Sequence, residues 1–329
     1  MENKKISFLQ TFGIILVVLG HTGDNNSSSY MNSWIYSFHM PLFVFISGYL
    51  LKFTTSGEIG DIKLNIFIIK KIKRLIVPYI LISSLAYIPK YLLGRFAVRP
   101  LELSLKDYIL NMIYPWDNPI IFFWFLPTIF LIMILTIILY RVLKNNTRII
   151  LALALMLNLI SNKFLNVEIL NLTGVSNYLV FFILGIFYRE SEQKIDEIIF
   201  RKYFLVGIIC FIILSINVFI KISNIKIFYS LIAIVGIIFS LECFKLYSKL
   251  DLKFLNHLNG KSYSIYLFSW FPQVFIRILG YQILNFSMIV VIPISFIFGL
   301  YVPVCINLFI KNIISKYNSL KFLKYIFGI

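Results

Sequence analysis

The chain has 329 residues, 60% of them hydrophobic and 17% aromatic, with only 14% charged, and its mean hydropathy is +0.88. Soluble domains run near half apolar and a quarter charged, so this composition excludes a water-soluble globular fold and makes lipid the main solvent. The net charge of +17 does not point to nucleic acid, because the basic residues cluster between apolar stretches and no soluble basic domain carries them.

In chain order the apolar stretches are 6–22, 34–53, 75–93, 119–141, 148–163, 174–188, 203–220, 227–244, 262–280 and 287–310. They predict an all-α integral membrane protein of about ten transmembrane helices. Lys4 and Lys5 followed by the apolar run Phe12 to Leu19 have the outline of a signal peptide. No Ala-x-Ala-like cleavage site follows, so a retained first helix is expected. The span 148–163 is short enough to be tilted or re-entrant. If the N-terminus is cytoplasmic, 23 of the 31 Lys and Arg residues fall in inside segments. Inverting the chain would reverse that bias, so both termini are expected in the cytoplasm. The segment 90–118, nominally outside, holds Lys90, Arg95, Arg99 and Lys106, partly offset by Glu102, Asp107 and Asp117, with Pro100, Pro115, Trp116 and Pro119. It fits a structured, solvated outer loop, or a basic patch that meets an anionic glycan or headgroup.

No polar stretch is long enough to fold alone, so residues 1–329 read as one membrane domain. No inverted repeat of the transporter kind is visible. Cys210, Cys243 and Cys305 show neither CxxC nor repeated spacing, which argues for packing residues and against a disulfide framework or zinc site.

Two of the three histidines bracket the first hairpin, His21 at the end of one span and His39 near the start of the next. Imidazoles inside a membrane are costly unless partnered and mark functional candidates. They also suit general-base work near neutral pH. The bland alternative is a pair of interfacial side chains bonded to backbone or water. Asp24, three residues after His21, can orient an imidazole or simply cap the loop.

Several motifs in order carry a family resemblance. "ISFLQTFGIILVVLGH" (Ile6 to His21) followed by "SFHMPLFVFISGYLL" (Ser37 to Leu51) resembles the opening of acyltransferase family 3, the multi-pass membrane acyltransferases. Within it the chain most resembles the branch described as fucose 4-O-acetylase-like. "KKIKRLIVPYI" (Lys70 to Ile80), "FFWFLPTIF" (Phe122 to Phe130) and "GKSYSIYLFSW" (Gly260 to Trp270) resemble the family's third, fourth and late helices. The resemblance implies transfer of an acyl group, usually acetyl, from a cytoplasmic acyl-CoA to a hydroxyl of an extracytoplasmic sugar. It implies a plasma or inner membrane location, acetyl-CoA as donor substrate with no tightly bound cofactor, and a cell-envelope glycan as acceptor. His21 then maps to the catalytic position and His39 to a supporting one. Lys70, Lys71, Lys73 and Arg74 map to the basic start of the third helix, where CoA phosphates would be neutralised. Anchoring beside anionic lipid is the equal alternative for those four.

The chain departs from the family pattern at Gln10, where a cation is usual, and at Thr11, where Gly is common. Ser269 stands where the late helix often carries a histidine; it fits an acceptor contact or helix-packing glue. Arg277 faces the site or snorkels to the outer interface. Glu242 is expected to pair with Lys245, and Asn158, Asn217 and Asn307 to bond between helices. Trp34, Tyr36, Trp116, Trp124 and Trp270 fit interfacial belts as readily as a sugar-stacking wall. The competing class is a transporter or flippase for a lipid-linked sugar or small solute, with the histidines as a proton relay.

Overall fold

The computed structural model describes residues 3–22, 30–92, 104–164, 167–201, 203–250, 255 and 257–327. The chain is all-helical, with no strand among the described residues. Six helices there are long and apolar enough to cross a membrane: Tyr30–Thr54, Leu64–Leu92, Ile121–Val142, Ile169–Glu190, Ile227–Lys249 and Met288–Lys316. A pair bent by 84°, Glu192–Phe200 with Phe204–Ile220, would make seven. The helix α1 (Lys4–Gly20) has 17 residues, or about 25 Å of length. Asn3 caps it, its side chain accepting from the N–H groups of Lys5 and Ile6.

The second apolar stretch is a single candidate span built of two helical pieces, α2 (Tyr30–Tyr36) and α3 (His39–Thr54). Pro41 explains where α3 starts. A proline is tolerated in the first turn, where its missing N–H would have no helical partner. The break also seats Phe38, fully buried, against Gly236, where an added Cβ would lie 2.2 Å from the phenylalanine Cβ.

The third stretch begins earlier than its hydropathy suggests. α4 (Leu64–Lys71) runs through a π-helical turn (Ile72–Ile76) into α5 (Val77–Leu92). Pro78 has no N–H to offer the Arg74 carbonyl four residues back, so that carbonyl needs another donor. It receives the hydroxyl of Tyr263. Then follow α6 (Leu105–Ile113), a 3-10 turn (Ile121–Trp124) leading into α7 (Phe125–Val142), α8 (Thr147–Phe164) and α9 (Leu172–Glu190). The short span at 148–163 is thus a regular helix of 18 residues. The remainder is α10 (Glu192–Phe200), α11 (Tyr203–Ile220), α12 (Lys226–Leu250), α13 (Ser262–Phe268), α14 (Trp270–Arg277), α15 (Met288–Lys316) and α16 (Leu323–Phe327).

The centre of the bundle is the α3–α9 pair, and two glycines set its spacing. A Cβ on Gly48 would lie 1.9 Å from the Phe182 carbonyl oxygen, and one on Gly185 would lie 2.0 Å from that of Phe45. The helices touch backbone to backbone, as small residues permit where lipid supplies no hydrophobic drive.

One end of the bundle is tied by a polar clamp. Lys5 Nζ donates to Tyr188 Oη and Glu192 Oε1, both at 2.9 Å, and also bonds Asp196. Tyr49 Oη donates to Glu192 at 2.7 Å, Tyr188 to Asp196 at 2.5 Å, and Arg189 to Glu192 at 2.8 Å. The clamp joins the start of α1, the end of α3, the end of α9 and α10, which turns across that end. Burial pushes the Glu192 carboxyl up, but the bonds from Lys5, Tyr49 and Arg189 and the Lys5 charge outweigh it. The group therefore sits below its ordinary value of 4.5. A carboxyl lowered by folding adds stability above its unfolded value and loses it as pH falls through the folded one. The melting temperature in detergent is therefore expected to fall as pH drops below about 4.5, and the Lys5→Met variant to start lower and show a shallower fall. Parallel falls in both would remove the clamp from the account.

Candidate active site

The opposite end of α1 carries His21, the residue capping that helix. Its ring centroid lies 4.9 Å from that of Phe122 and 5.9 Å from that of Tyr36. Tyr36 lies in turn 5.2 Å from the ring of His39. The two histidines of the first hairpin therefore share one site, joined through a tyrosine between them. His39 is buried, while His21 keeps partial exposure.

Backbone groups fix the chemistry of the pair. His39 Nδ1 lies 2.9 Å from the Ile35 carbonyl oxygen. A carbonyl only accepts, so Nδ1 carries the proton and Nε2 of the neutral ring keeps a free lone pair. Tyr36 Oη donates to the Gly20 carbonyl at 2.7 Å, tying α2 to the residue before His21. Gln273, buried in α14, donates from Nε2 to the Val18 carbonyl at 2.8 Å. The His21 N–H bonds that same carbonyl at 3.2 Å, so Gln273 holds the turn that presents the imidazole. Gly299 leaves room for it, since a Cβ there would lie 2.8 Å from Gln273 Cγ.

The sequence marks Tyr36 only as a belt or sugar-stacking aromatic, and it does not mark Phe122 or Gln273 as partners of His21. Tyr36 and Phe122 sit among many aromatics, and only their approach to His21 separates them from interfacial or core residues. Gln273 did leave a signal, an amide within the apolar run "WFPQVFIRILGY", because a buried amide must find a partner.

The four cations of the third helix lie on α4 and its π-turn. Lys71 stands 5.0 Å over the Phe67 ring, Lys73 5.8 Å over Tyr325 and Arg74 5.8 Å over Tyr263; Lys70 is exposed beside them. Among the described residues none of the four makes an ion pair with a carboxylate. The stretch is also linked to the histidines. Tyr263 donates to the Arg74 carbonyl, and Tyr266, one turn along α13, donates to the Phe122 carbonyl at 2.7 Å. Those tyrosines are three residues apart, about 4.5 Å of helical rise. Phe122 then meets His21. A run of aromatic side chains thus connects two groups that the sequence places at opposite ends of the bundle.

Arg277 ends α14 close enough for its charge to act on both His21 and Tyr36. Asp24 lies outside the described residues. Ser269 is buried at the α13–α14 junction, and its Oγ has no hydrogen-bond partner among the described residues. Thr11 Oγ1 donates to Asn259 Oδ1 at 2.8 Å. Glu242 does not pair with Lys245, which instead stands 5.4 Å over the Phe200 ring. Both Glu242 carboxyl oxygens are buried and without a partner among the described residues. Asn158 bridges α8 to α9 and α12, and Asn307 donates to Ser264, as interhelical bonders should. Asn217 instead accepts from the Ser223 N–H in the turn after α11.

The fold and site define a class, a multi-pass helical membrane protein with two neighbouring imidazoles at one end of its first helices. The family model described as "Acyltransferase domain" matches residues 3–308. The chain belongs to acyltransferase family 3 and is a membrane acyltransferase. Comparison with curated proteins and with solved structures finds no match.

Proposed function

We propose that this chain moves an acetyl group from cytoplasmic acetyl-CoA to a hydroxyl of a cell-envelope sugar or polysaccharide outside the plasma membrane. In this reading ten apolar helical segments cross the membrane, both termini lie in the cytoplasm, and the fucose 4-O-acetylase-like resemblance supplies the sugar acceptor. The observation that carries it is the His21–Tyr36–His39 site with a fixed His39 tautomer.

The chemistry follows from those groups. The acceptor hydroxyl attacks the thioester carbonyl and its proton passes to a neutral imidazole nitrogen. The oxyanion that forms is offset by the positive charge of Arg277. As the C–S bond breaks, the CoA thiolate takes the proton back from the imidazolium, leaving an ester and free CoA. His21, partly exposed, is the base that meets the acceptor; His39 supports it. Lys70, Lys71, Lys73 and Arg74 bind donor phosphates, a role that suits four cations without a carboxylate partner among the described residues.

The test uses purified protein, acetyl-CoA labelled in the acetyl group, and envelope glycan fractions. An alkali-labile label on glycan is expected. Changing the four cations together to Gln is expected to raise KM for acetyl-CoA by roughly tenfold for each donor phosphate left unpaired, with little effect on the acceptor. An unmoved donor KM would return the cluster to lipid anchoring. No label on any glycan, with solute uptake in proteoliposomes, would favour the transporter reading.

A further inference from the structure

We propose that Trp116 is the floor of a sugar-ring subsite, flanked by Asp117 as its hydrogen-bonding side. The inference rests on the sugar acceptor proposed above and adds the place where its ring is held.

Trp116 is 41% exposed, in the turn between α6 and the 3-10 segment Ile121–Trp124. Its inner face is covered by Trp124, with ring centroids 5.0 Å apart and planes at 22°. Trp124 is itself backed by Tyr178 at 5.4 Å and 24°. Trp116 thus stacks on Trp124 and Trp124 on Tyr178, and Trp116 is the most exposed ring of the three.

The indole is also locked in its plane. Its Nε1 donates to Asn171 Oδ1 at 3.2 Å, and Asn171 Nδ2 donates to Thr128 Oγ1 at 2.8 Å. Asn171 is buried and left-handed (φ 55°), directly after Leu170, also left-handed (φ 48°). Consecutive left-handed residues other than glycine are strained and persist where surrounding structure demands them. Gly174 admits the amide, since a Cβ there would lie 2.2 Å from Asn171 Nδ2. On the other side, buried Asn118 holds the turn through Ser83 and the Ile120 N–H.

An interfacial belt tryptophan works differently. It turns its N–H toward water and headgroups and its body toward lipid. Here the N–H is spent inward on a buried side chain, and what faces out is a rigid apolar plane. A pyranose offers the complement, a C–H face for the ring and hydroxyls that donate to a carboxylate. Asp117, the next residue in the chain, is exposed and makes no ion pair among the described residues. The subsite lies on the reacting end, because Trp124 and Phe122 belong to the same 3-10 turn and Phe122 contacts His21.

The experiment pairs a binding readout with a kinetic one. Saturation-transfer NMR is run on protein in detergent with cellobiose, lactose and N,N′-diacetylchitobiose. Transfer to ring C–H protons of at least one disaccharide is expected in wild type, abolished in Trp116→Ala and kept in Trp116→Phe, which preserves a stacking plane. In the acyl-transfer assay, Trp116→Ala is expected to raise acceptor KM about tenfold, with donor KM within twofold of wild type. Transfer dependent on Trp116 in a protein that acetylates no glycan would sustain the subsite while the proposed chemistry fell. Acetylation with acceptor KM unmoved in Trp116→Ala would overturn the subsite and leave the chemistry standing. Saturation transfer absent in wild type, or equal in Trp116→Ala, would also overturn it.

Discussion

Changing His21 to alanine is expected to slow acyl transfer by roughly 10²–10⁴-fold, the usual worth of a positioned general base. The loss should fall on kcat, with KM for acetyl-CoA near wild type, because the donor phosphates are assigned to Lys70, Lys71, Lys73 and Arg74 and not to His21. His39→Ala is expected to cause a loss of similar order. His39 is buried, its Nδ1 proton is committed to Ile35, and its ring contacts Tyr36, which contacts His21. Residues that act as one unit are not additive, so the double variant should be no more than a few-fold slower than the slower single. Full activity in His21→Ala would refute its assignment, and multiplicative losses would mean two independent roles. Tyr36→Phe adds a check on geometry: it removes the hydroxyl bonded to the Gly20 carbonyl and keeps both ring contacts.

The second large effect concerns assembly of the bundle. Gly48→Leu or Gly185→Leu is expected to destabilise the protein by on the order of 3 kcal/mol or more, at the high end of overpacking. The neighbouring atoms are backbone carbonyl oxygens at 1.9 Å and 2.0 Å, which no rotamer change can move aside. Only separation of α3 from α9 relieves the clash, and α3 carries His39 at its other end. Thermal melting and size-exclusion profiles in detergent provide the measurement. A Gly57→Leu variant is the control, because a Cβ at that loop glycine meets nothing within 4 Å and should leave melting nearly unchanged. Equal melting of all three proteins would show that the helices do not need the close approach.

Much of this fold is legible in the chain itself. The apolar stretches anticipate the main helices, since an apolar run in lipid has to satisfy its backbone internally and a helix is the local way to do so. Boundaries are less legible where a polar or proline residue sits within an apolar run. The 34–53 stretch is divided because Pro41 belongs in a first turn, and the third helix begins at Leu64 because basic residues lengthen it without lowering its helix propensity. The number of passes is a weaker inference from length alone, with six helices long enough and a bent pair making seven among the described residues.

For the site, the chain announces the scarce chemistry. Two histidines at one hairpin and four cations before "LIVPYI" stand out because lipid makes such groups costly. It is silent on their partners. Tyr36 between the imidazoles, Gln273 on the Val18 carbonyl and the Tyr263–Tyr266 link from Arg74 to Phe122 all join residues on separate helices. Local pattern carries no record of such pairings. Glu242 shows the converse, since its nearness to Lys245 in sequence suggests an ion pair that the side chains do not make.

By itself, then, the sequence determined the solvent, the helical class and which scarce polar side chains stand among apolar spans, because each follows from composition or from a residue's own chemistry. Tertiary structure alone decided that His21 and His39 meet through Tyr36, that Pro78 frees a carbonyl for Tyr263, and that Trp116 presents a locked open face. These are matters of which helix faces which, and that is set by close packing among helices whose surfaces are almost uniformly apolar.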